Sequence, residues 1–266
     1  MGRTKFAFIG GDLRQIRVAN LFYGEGHEVS VFGFDDPAGS GLNSGIKIAA
    51  SLDDALPPAD AVILPLPYTS GKGMVNVPLG KAQTPVSDVF RKMLPGQIMF
   101  LGMADEKANA LAQLFNIHIV DYFAREELSV RNAVPTAEGA IAIAINETPF
   151  TLHGSNCLIL GFGRVGKALA SPLSAMGAKV SVAARKQADL AWADNLGYKP
   201  VPFENLPAAA EAADIIFNTV PHTVLDARIL RALPANCLVI DLASKPGGVD
   251  FILGQETGRL SLDFVL

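Results

Sequence analysis

The sequence predicts an α/β protein with two doubly wound parallel sheets joined by a buried helix. Apolar, strand-like runs alternate with helical segments in both halves of the chain, a pattern typical of parallel sheets. A glycine turn at residues 161–166 stands between a strand and a helix in the second half. With 266 residues, 50% of them hydrophobic, the chain can fill two cores. We therefore predict two Rossmann-like domains, residues 1–130 and 151–266, with an interdomain helix in 131–150.

The first half has the alternating strand and helix pattern of a parallel sheet, but its first turn lacks the complete glycine pattern of a nucleotide-binding turn. Its apolar runs lie at residues 5–9, 28–32, 61–66, 98–101 and 117–120. The turn after the first run, which starts with Gly10 and Gly11, lacks the full glycine pattern, so we predict a domain that handles a substrate or partner instead of a dinucleotide. The loop 68–80 is rich in Gly, Pro and polar residues, which favours a solvent-facing connection, with a mobile lid as the alternative.

The junction between the halves predicts a buried helix. Residues 140–145 alternate Ala and Ile, and a helix that is apolar on every side must be buried. Thr136 is a suitable N-cap, Glu138 then falls in the first turn, and Pro149 ends the segment. We expect this helix to join the two domains across a cleft.

The second half contains a complete strand, turn, helix and strand unit over residues 157–186. Gly161 suits the tight turn, Gly163 lets a pyrophosphate approach the backbone, and Gly166 lets the helix pack close to its strand. The N-terminus of the helix favours phosphate charge. The predicted cofactor contacts of this turn are Gly161, Phe162, Gly163, Arg164, Val165 and Gly166.

The end of the second strand of this unit favours NADP over NAD. An NAD-binding domain carries a carboxylate there for the ribose 2′-hydroxyl, whereas this chain has Ala184 followed by Arg185 and Lys186. A guanidinium can bind a 2′-phosphate with two parallel hydrogen bonds. The alternative interpretation is a tight turn with a surface Arg-Lys pair. The next strand end supplies the remaining predicted cofactor contacts, Thr219, Val220 and Pro221.

Composition excludes several classes of function. A net charge of −4 gives no basic field for nucleic acid. The apolar run 6–9 is too short for a signal or membrane segment, so we expect a cytoplasmic protein. Cys157 and Cys237 each open an apolar run, where a thiol behaves as a small buried hydrophobe, and we expect neither a disulfide nor a metal site.

Short segments through both halves match a known family. The most specific is Asp-Leu-Ala-Ser-Lys-Pro-Gly-Gly at 241–248, and the junction residues Asn132, 135–136 and 138–139 add to it. Further matches lie at 9–12, 14–15, 33–35, 63–65, 151–155, 161–164, 184–185 and 218–221. On these residues the chain resembles the family of the dipicolinate synthase A subunit.

The resemblance implies a reaction and a partner. It implies oxidation of a dihydrodipicolinate-type ring to pyridine-2,6-dicarboxylate, or dipicolinate, with NADP, in the mother cell of a sporulating bacterium. The flavoprotein-like B subunit of dipicolinate synthase is the implied partner, and a homo-oligomer is compatible with the sequence. Family members continue into a further loop and closing helices, so we expect the tail 254–266 to be truncated or altered.

The implied reaction suggests which residues act. A substrate with two carboxylates needs cationic or backbone donors, and aromatisation releases a proton as well as a hydride. The candidates for substrate binding are Arg14, Arg125, Asn132, Thr136 and Lys245, and those for proton transfer are Glu138 and His222. Surface ion pairs, helix capping and an exposed loop histidine are the plain alternatives for these residues.

Two further interpretations of the function stay open. The chain could be a non-catalytic subunit that binds NADP and gates its flavoprotein-like partner. It could also be an NADP-dependent reductase of another small carboxylic acid, such as a 2-hydroxy acid, although the paired Arg and His with an acidic partner that such an enzyme needs are not evident in the sequence.

Overall fold

The computed structural model describes residues 2–244 and 247–249 and the backbone of Ser261–Asp263. The chain divides into two compact units, Met1–Leu128 and Ser129–Leu266. Each unit contains a six-stranded sheet whose strands pair in parallel. The predicted fold class, two doubly wound parallel sheets, is confirmed. The expected alteration of the tail 254–266 falls, apart from that short backbone segment, outside the described residues.

The first unit has the strand order β3-β2-β1-β4-β5-β6. Side chains of β1 point alternately into two cores, with Ala7 and Ile9 in one and Phe8 in the other. The sheet is therefore covered on both faces, as expected for parallel strands. Its elements are β1 Lys5–Ile9, α1 Leu13–Gly24, β2 Glu28–Phe32, β3 Lys47–Ile48, α2 Leu52–Ala55, β4 Ala61–Ile63, α3 Val86–Lys92, β5 Ile98–Leu101, α4 Glu106–Phe115 and β6 His118–Asp121.

The second unit has the corresponding order β12-β11-β10-β7-β8-β9. Cys157 and Ile159 of its central strand enter one core, and Leu158 and Leu160 enter the other. The two sheets thus share the arrangement in which connections diverge from a central strand. Helix α5, Glu126–Glu147, begins at the end of the first unit and lies mostly in the second. The other elements of the second unit are β7 Asn156–Leu160, α6 Arg164–Ala175, β8 Lys179–Ala184, α7 Gln187–Asn195, β9 Lys199–Pro202, α8 Leu206–Glu211, β10 Ile215–Asn218, α9 Ala227–Ala232, β11 Leu238–Asp241 and β12 Ser261–Asp263.

Helix α5 is longer than the sequence predicts. It begins at Glu126 and continues through Pro135, so the prediction that Thr136 caps its N-terminus is wrong. Thr136 lies in mid-helix, where its hydroxyl donates to the carbonyl oxygen of Asn132 at 2.8 Å. Glu138 is likewise outside the first turn, and the helix dipole does not explain its position.

Helix α5 is buried along one face. Ala137, Ala140 and Ala144 join the core of the second unit. On other faces, Val134 and Ile145 keep 53% and 49% of their surface exposed. The alternating Ala and Ile residues therefore give the helix one packed side and one exposed apolar side.

Cys157 and Cys237 are both buried, and the prediction of buried thiols is confirmed. Burial raises the pKa of the Cys157 thiol. Among the residues that the structure describes, no helix is long and apolar enough to cross a membrane. The same residues contain no cluster of His, Cys, Asp or Glu arranged to hold a metal ion.

Candidate functional site

The turn between β7 and α6 contains glycines with different surroundings. Gly161 has a φ of +91°, in the left-handed region that favours glycine. A Cβ atom built at Gly166 would lie 2.2 Å from the carbonyl oxygen of Gly161, so this position tolerates no side chain. Around Gly163, which caps α6, no described heavy atom lies within 4 Å of such a Cβ. The turn thus combines close packing with an open approach to a helix N-terminus, which fits a dinucleotide pyrophosphate.

The side chains of Phe162 and Val165 in this turn pack in or against the hydrophobic core of the second unit. Phe162 is 3% exposed and packs edge-on against Tyr198, with ring centroids 6.3 Å apart. Lys167 places its Nζ 5.7 Å from the centroid of the Phe162 ring. Val165 packs partly buried against the same core, and Arg164 is exposed as the first residue of α6. Phe162 can therefore border a cofactor through its backbone.

The end of β8 lies beside the glycine turn. The amide of Gly161 donates to the carbonyl oxygen of Ala183 at 2.8 Å. Ala184 is buried, and Arg185 and Lys186 follow as exposed residues before α7 begins. These two cations stand at the carboxyl edge of the sheet, where open α/β sheets bind their ligands.

The residues that follow β10 pack against the glycine turn. The Oγ1 atom of Thr219 donates to the carbonyl oxygen of Leu160 at 2.8 Å. A Cβ atom built at Gly161 would lie 2.6 Å from that Oγ1 and 3.0 Å from Cγ2 of Val220. The structure thus brings together three of the residues predicted to contact the cofactor.

Sequence reasoning missed a buried polar pair at the same edge. Asn218 and Asp241 end neighbouring strands, are register partners, and are fully buried. The Nδ2 atom of Asn218 donates to Oδ1 of Asp241 at 2.8 Å. A polar residue that ends an otherwise apolar strand was the available signal, but the pairing depends on strand order, which no single segment displays.

The corresponding turn of the first unit is filled by its own chain. The amide of Gly11 donates to the carbonyl oxygen of Asn76 at 2.9 Å. A Cβ atom built at Gly10 would lie 2.8 Å from the same oxygen and 2.9 Å from Cγ1 of Val75. Val75 is 2% exposed and belongs to the core, whereas residues 70–73 are exposed, so loop 68–80 is only in part the solvent-facing connection that the sequence predicts.

Arg14 is already paired in this unit. Its Nε lies 3.1 and 3.0 Å from the two carboxylate oxygens of Asp12, and its Nη2 lies 2.7 Å from Oδ2. Burial tends to raise the pKa of Asp12, but the hydrogen bonds from Arg14 outweigh it, and the pKa lies below its usual value. The same side-chain hydrogen bond raises the pKa of Arg14.

Side chains also converge on the carbonyl groups that follow β4. Arg14 Nη2 donates to Leu66 O at 2.8 Å, and Gln15 Nε2 donates to Leu64 O at 3.0 Å. The hydroxyl of Tyr122 donates to Leu64 O at 3.0 Å, and burial raises the pKa of that hydroxyl. Arg14 therefore has a structural task at this edge besides any contact with substrate.

The other predicted substrate residues have simple local partners. Arg125 is exposed and its Nε donates to Oε1 of Glu127 at 2.8 Å. Asn132 and Thr136 lie one turn apart on α5, joined by the hydrogen bond described above. Glu138 is exposed on the same helix.

The remaining predicted residues follow the strands of the second unit. Pro221 and His222 are exposed in the loop after β10, close to the segment 247–249, since a Cβ atom built at Gly248 would lie 2.9 Å from His222 O. Lys245, a predicted substrate contact, lies outside the described residues.

The chain has a relative of nearly its own length. The A subunit of dipicolinate synthase from Bacillus subtilis (strain 168) is 31% identical over 262 residues, which cover 97% of this chain and 86% of that protein. The chain belongs to the family of the dipicolinate synthase A subunit. The resemblance noted in the sequence is thereby confirmed, and the family model for the N-terminal domain of the dipicolinate synthase A subunit matches residues 5–123.

Solved structures of this family have the same fold. The crystal structure of the dipicolinate synthase A subunit from Bacillus halodurans superposes with a TM-score of 0.88 at 30% identity, covering 100% of this chain and 91% of that one. For the corresponding protein from Bacillus subtilis the TM-score is 0.85 at 30% identity, with coverage of 100% and 89%.

The second unit of this family member also matches a dehydrogenase domain. Residues 131–244 fit the model for the NAD-binding domain of D-isomer specific 2-hydroxyacid dehydrogenases. That match and the glycine turn support an oxidoreductase of the dehydrogenase type with a nicotinamide dinucleotide cofactor.

Proposed function

We propose that this chain oxidises a dihydrodipicolinate-type ring to dipicolinate with NADP as the hydride acceptor. The observation that carries the proposal is the 161–166 turn, which fits a dinucleotide, in a chain similar to the A subunit of dipicolinate synthase over 97% of its length. The balance is simple: the ring loses a hydride to the nicotinamide and a proton to a base, and becomes an aromatic pyridine dicarboxylate.

NADP is proposed over NAD because of the residues after β8. Ala184 stands where a ribose-binding carboxylate would favour NAD, and Arg185 and Lys186 are exposed beside the turn. A guanidinium binds a phosphate with two charge-assisted hydrogen bonds, whereas it gains much less from a hydroxyl. When bound, the dinucleotide supplies the hydride acceptor.

The chain's own residues supply binding and proton transfer in this proposal. Arg14 and Arg125 orient the substrate carboxylates, with Asn132 and Thr136 as further polar contacts. Arg14 has to exchange part of its pairing with Asp12 for a substrate carboxylate. Glu138 or His222 takes the proton that aromatisation releases; both are exposed.

A partner protein belongs to the proposal. The relatives are named as the A subunit of a synthase, which supports a B subunit, here proposed to be flavoprotein-like, as the partner. We place the reaction in the cytoplasm of the sporulating mother cell. A homo-oligomer of this chain is compatible with these proposals.

The pairing of Arg14 with Asp12 favours a second candidate function. If the guanidinium stays with Asp12 throughout, the chain binds NADP without binding substrate and gates the B subunit, which then does the redox work. The two candidates differ in which chain carries the chemistry.

Turnover with and without the partner distinguishes these candidates. Purified chain is mixed with NADP and the dihydro substrate, alone and with the B subunit, and the ultraviolet absorbance of dipicolinate is followed. If this chain catalyses the reaction, product formation falls in Arg14→Ala, in Arg125→Ala and in either Glu138→Gln or His222→Asn. If NADP binds but none of these substitutions changes turnover, with or without the B subunit, the result supports the gating function.

A further inference from the structure

A buried pair ties the carboxyl ends of β10 and β11 to the loops that follow them. Asn218 donates through Nδ2 to Asp241 at 2.8 Å and to Val220 O at 3.0 Å, and its Oδ1 accepts from Val220 N at 3.1 Å. Asp241 accepts from Ala243 N at 3.1 Å through Oδ1 and from Gly248 N at 2.8 Å through Oδ2. The buried Asp241 carboxylate thereby holds the backbone at Ala243 and at Gly248, while the Asn218 amide holds the backbone at Val220.

The segments held by the pair lie against the glycine turn and against each other. Val220, fixed by both ends of the Asn218 amide, places its Cγ2 3.0 Å from a Cβ atom built at Gly161. A Cβ atom built at Gly248 would lie 2.2 Å from Asn218 Nδ2 and 2.4 Å from Val220 O. A continuous series of close approaches therefore links Gly248, the Asn218–Asp241 pair, Val220 and Gly161.

We propose that Asn218 and Asp241 are positioning residues for the part of the dinucleotide that lies over β10 and β11. The inference rests on the proposed function. Both side chains are fully buried, so they touch no ligand and act through the backbone of 219–220 and 247–249. Displacing either segment shifts backbone that borders the proposed dinucleotide site, while the glycines of the 161–166 turn remain in place.

Strand order makes the proposal specific to the nicotinamide half of the cofactor. The order β11-β10-β7-β8 places Arg185, after β8, on the far side of the turn from the pair. A fragment that reaches only the turn and Arg185, such as adenosine 2′,5′-bisphosphate, does not need the ends of β10 and β11. Whole NADP crosses the turn toward them and does need them.

The same sheet offers a second Asn–Asp pair as a control. Asp214 precedes β10 at the opposite edge, where its Oδ2 accepts from Asn156 N at 2.7 Å and from Asn156 Nδ2 at 3.0 Å. It too joins neighbouring strands, β7 and β10, through an Asn and an Asp. This contact is less buried than the Asn218–Asp241 pair, so Asp214→Asn tests whether the loss of an Asn–Asp contact between these strands weakens NADP binding when the carboxyl edge is left untouched.

The experiment measures binding of NADP and of adenosine 2′,5′-bisphosphate by calorimetric titration of the full chain, with thermal unfolding in parallel. The variants are Asn218→Asp, which sets two carboxylates against each other, Asp241→Asn, which keeps the side-chain shape, the Asn218→Asp/Asp241→Asn double variant, and Asp214→Asn. We expect each single carboxyl-edge variant to weaken NADP by about tenfold or more and the fragment by less than about twofold. The double variant should recover part of the NADP affinity, and Asp214→Asn should keep it.

Three results would overturn the inference. They are unchanged NADP affinity in folded Asp241→Asn, equal losses for NADP and the fragment, and an equal loss of NADP affinity in Asp214→Asn. A wild-type chain that binds neither ligand would instead refute the proposed function. If Asn218→Asp does not fold, the comparison of Asp241→Asn with Asp214→Asn decides the question alone.

Discussion

Gly166 packs against Gly161 so closely that a Cβ atom on Gly166 would lie 2.2 Å from the Gly161 carbonyl oxygen. The atom in the way is backbone, which cannot rotate aside as a flexible side chain can. The path of the chain from β7 into α6 is therefore fixed by two residues without side chains. Gly163, between them, is not constrained in this way, and the two positions can be separated by mutation.

Gly166→Ala is expected to lower stability and cofactor binding together. Overpacking of this kind costs about 1–3 kcal/mol of the free energy of unfolding, and the shift of α6 moves the helix N-terminus away from the phosphate site. Urea unfolding and NADP titration on the same sample test this. Wild-type stability in the variant would show that the turn can relax.

Gly163→Val is expected to abolish binding of NADP and NAD while the melting temperature stays close to that of the wild type. The added side chain enters open space in the free protein, since no described heavy atom lies within 4 Å of a Cβ built there, but it takes the path of the pyrophosphate. Calorimetric titration with both dinucleotides measures the effect. Undiminished binding would mean that the phosphates lie elsewhere.

Arg185→Ala is expected to weaken NADP by about tenfold or more and NAD only slightly, because the charge-assisted bonds to a 2′-phosphate are lost. Lys186→Ala is expected to weaken NADP less than Arg185→Ala does, since a lysine offers a point charge without the planar fork. The Kd values of both dinucleotides for each variant test the assignment. Equal losses for NADP and NAD would assign Arg185 another role.

One dinucleotide per chain is the expected stoichiometry. In the first unit the amide of Gly11 donates to Asn76 O at 2.9 Å, so the group that would face a phosphate is satisfied internally. Titration calorimetry at a chain concentration well above the Kd gives the number directly. Two equivalents bound would show that residues 75–77 leave the turn.

The Asp12–Arg14 pair is expected to stabilise the protein above the ordinary titration range of aspartate and not below it. The folded-state pKa of Asp12 is lowered from 3.8, so its contribution is fully present above 3.8 and is lost as pH falls through the folded value. The difference in unfolding free energy between the wild type and Asp12→Asn, measured by urea unfolding over a pH series, should shrink on acidification. A difference that grows at low pH would contradict the lowered pKa.

The glycine turn and the parallel sheets could be predicted because their signals are local. The apolar runs, the positions of Gly161 and Gly166 and the cations after β8 all lie within short stretches of sequence. The buried pair of Asn218 and Asp241 could not be predicted in the same way, because the residues are neighbours only through strand order and register.

The predictions that were wrong in whole or in part also have physical causes. Pro135 followed by Thr136 favours a helix start, but α5 begins at Glu126 and continues through the proline, with Ala133 before it and Ala137 after it both buried. The polar composition of loop 68–80 favours exposure, yet Val75 and Tyr68 anchor it in the core, at 2% and 4% exposure. A few apolar side chains outweigh the average character of a loop.

The carbonyl of Asn76 also sets a limit on redesign. An oxygen atom contributed by the polypeptide already accepts the hydrogen bond of the first glycine turn at a high effective concentration, so a free nucleotide would bind there only by displacing it, at a cost in affinity. Giving this protein a second redox cofactor would require rerouting residues 75–77 and repacking the interior that Val75 now fills, rather than restoring a missing glycine.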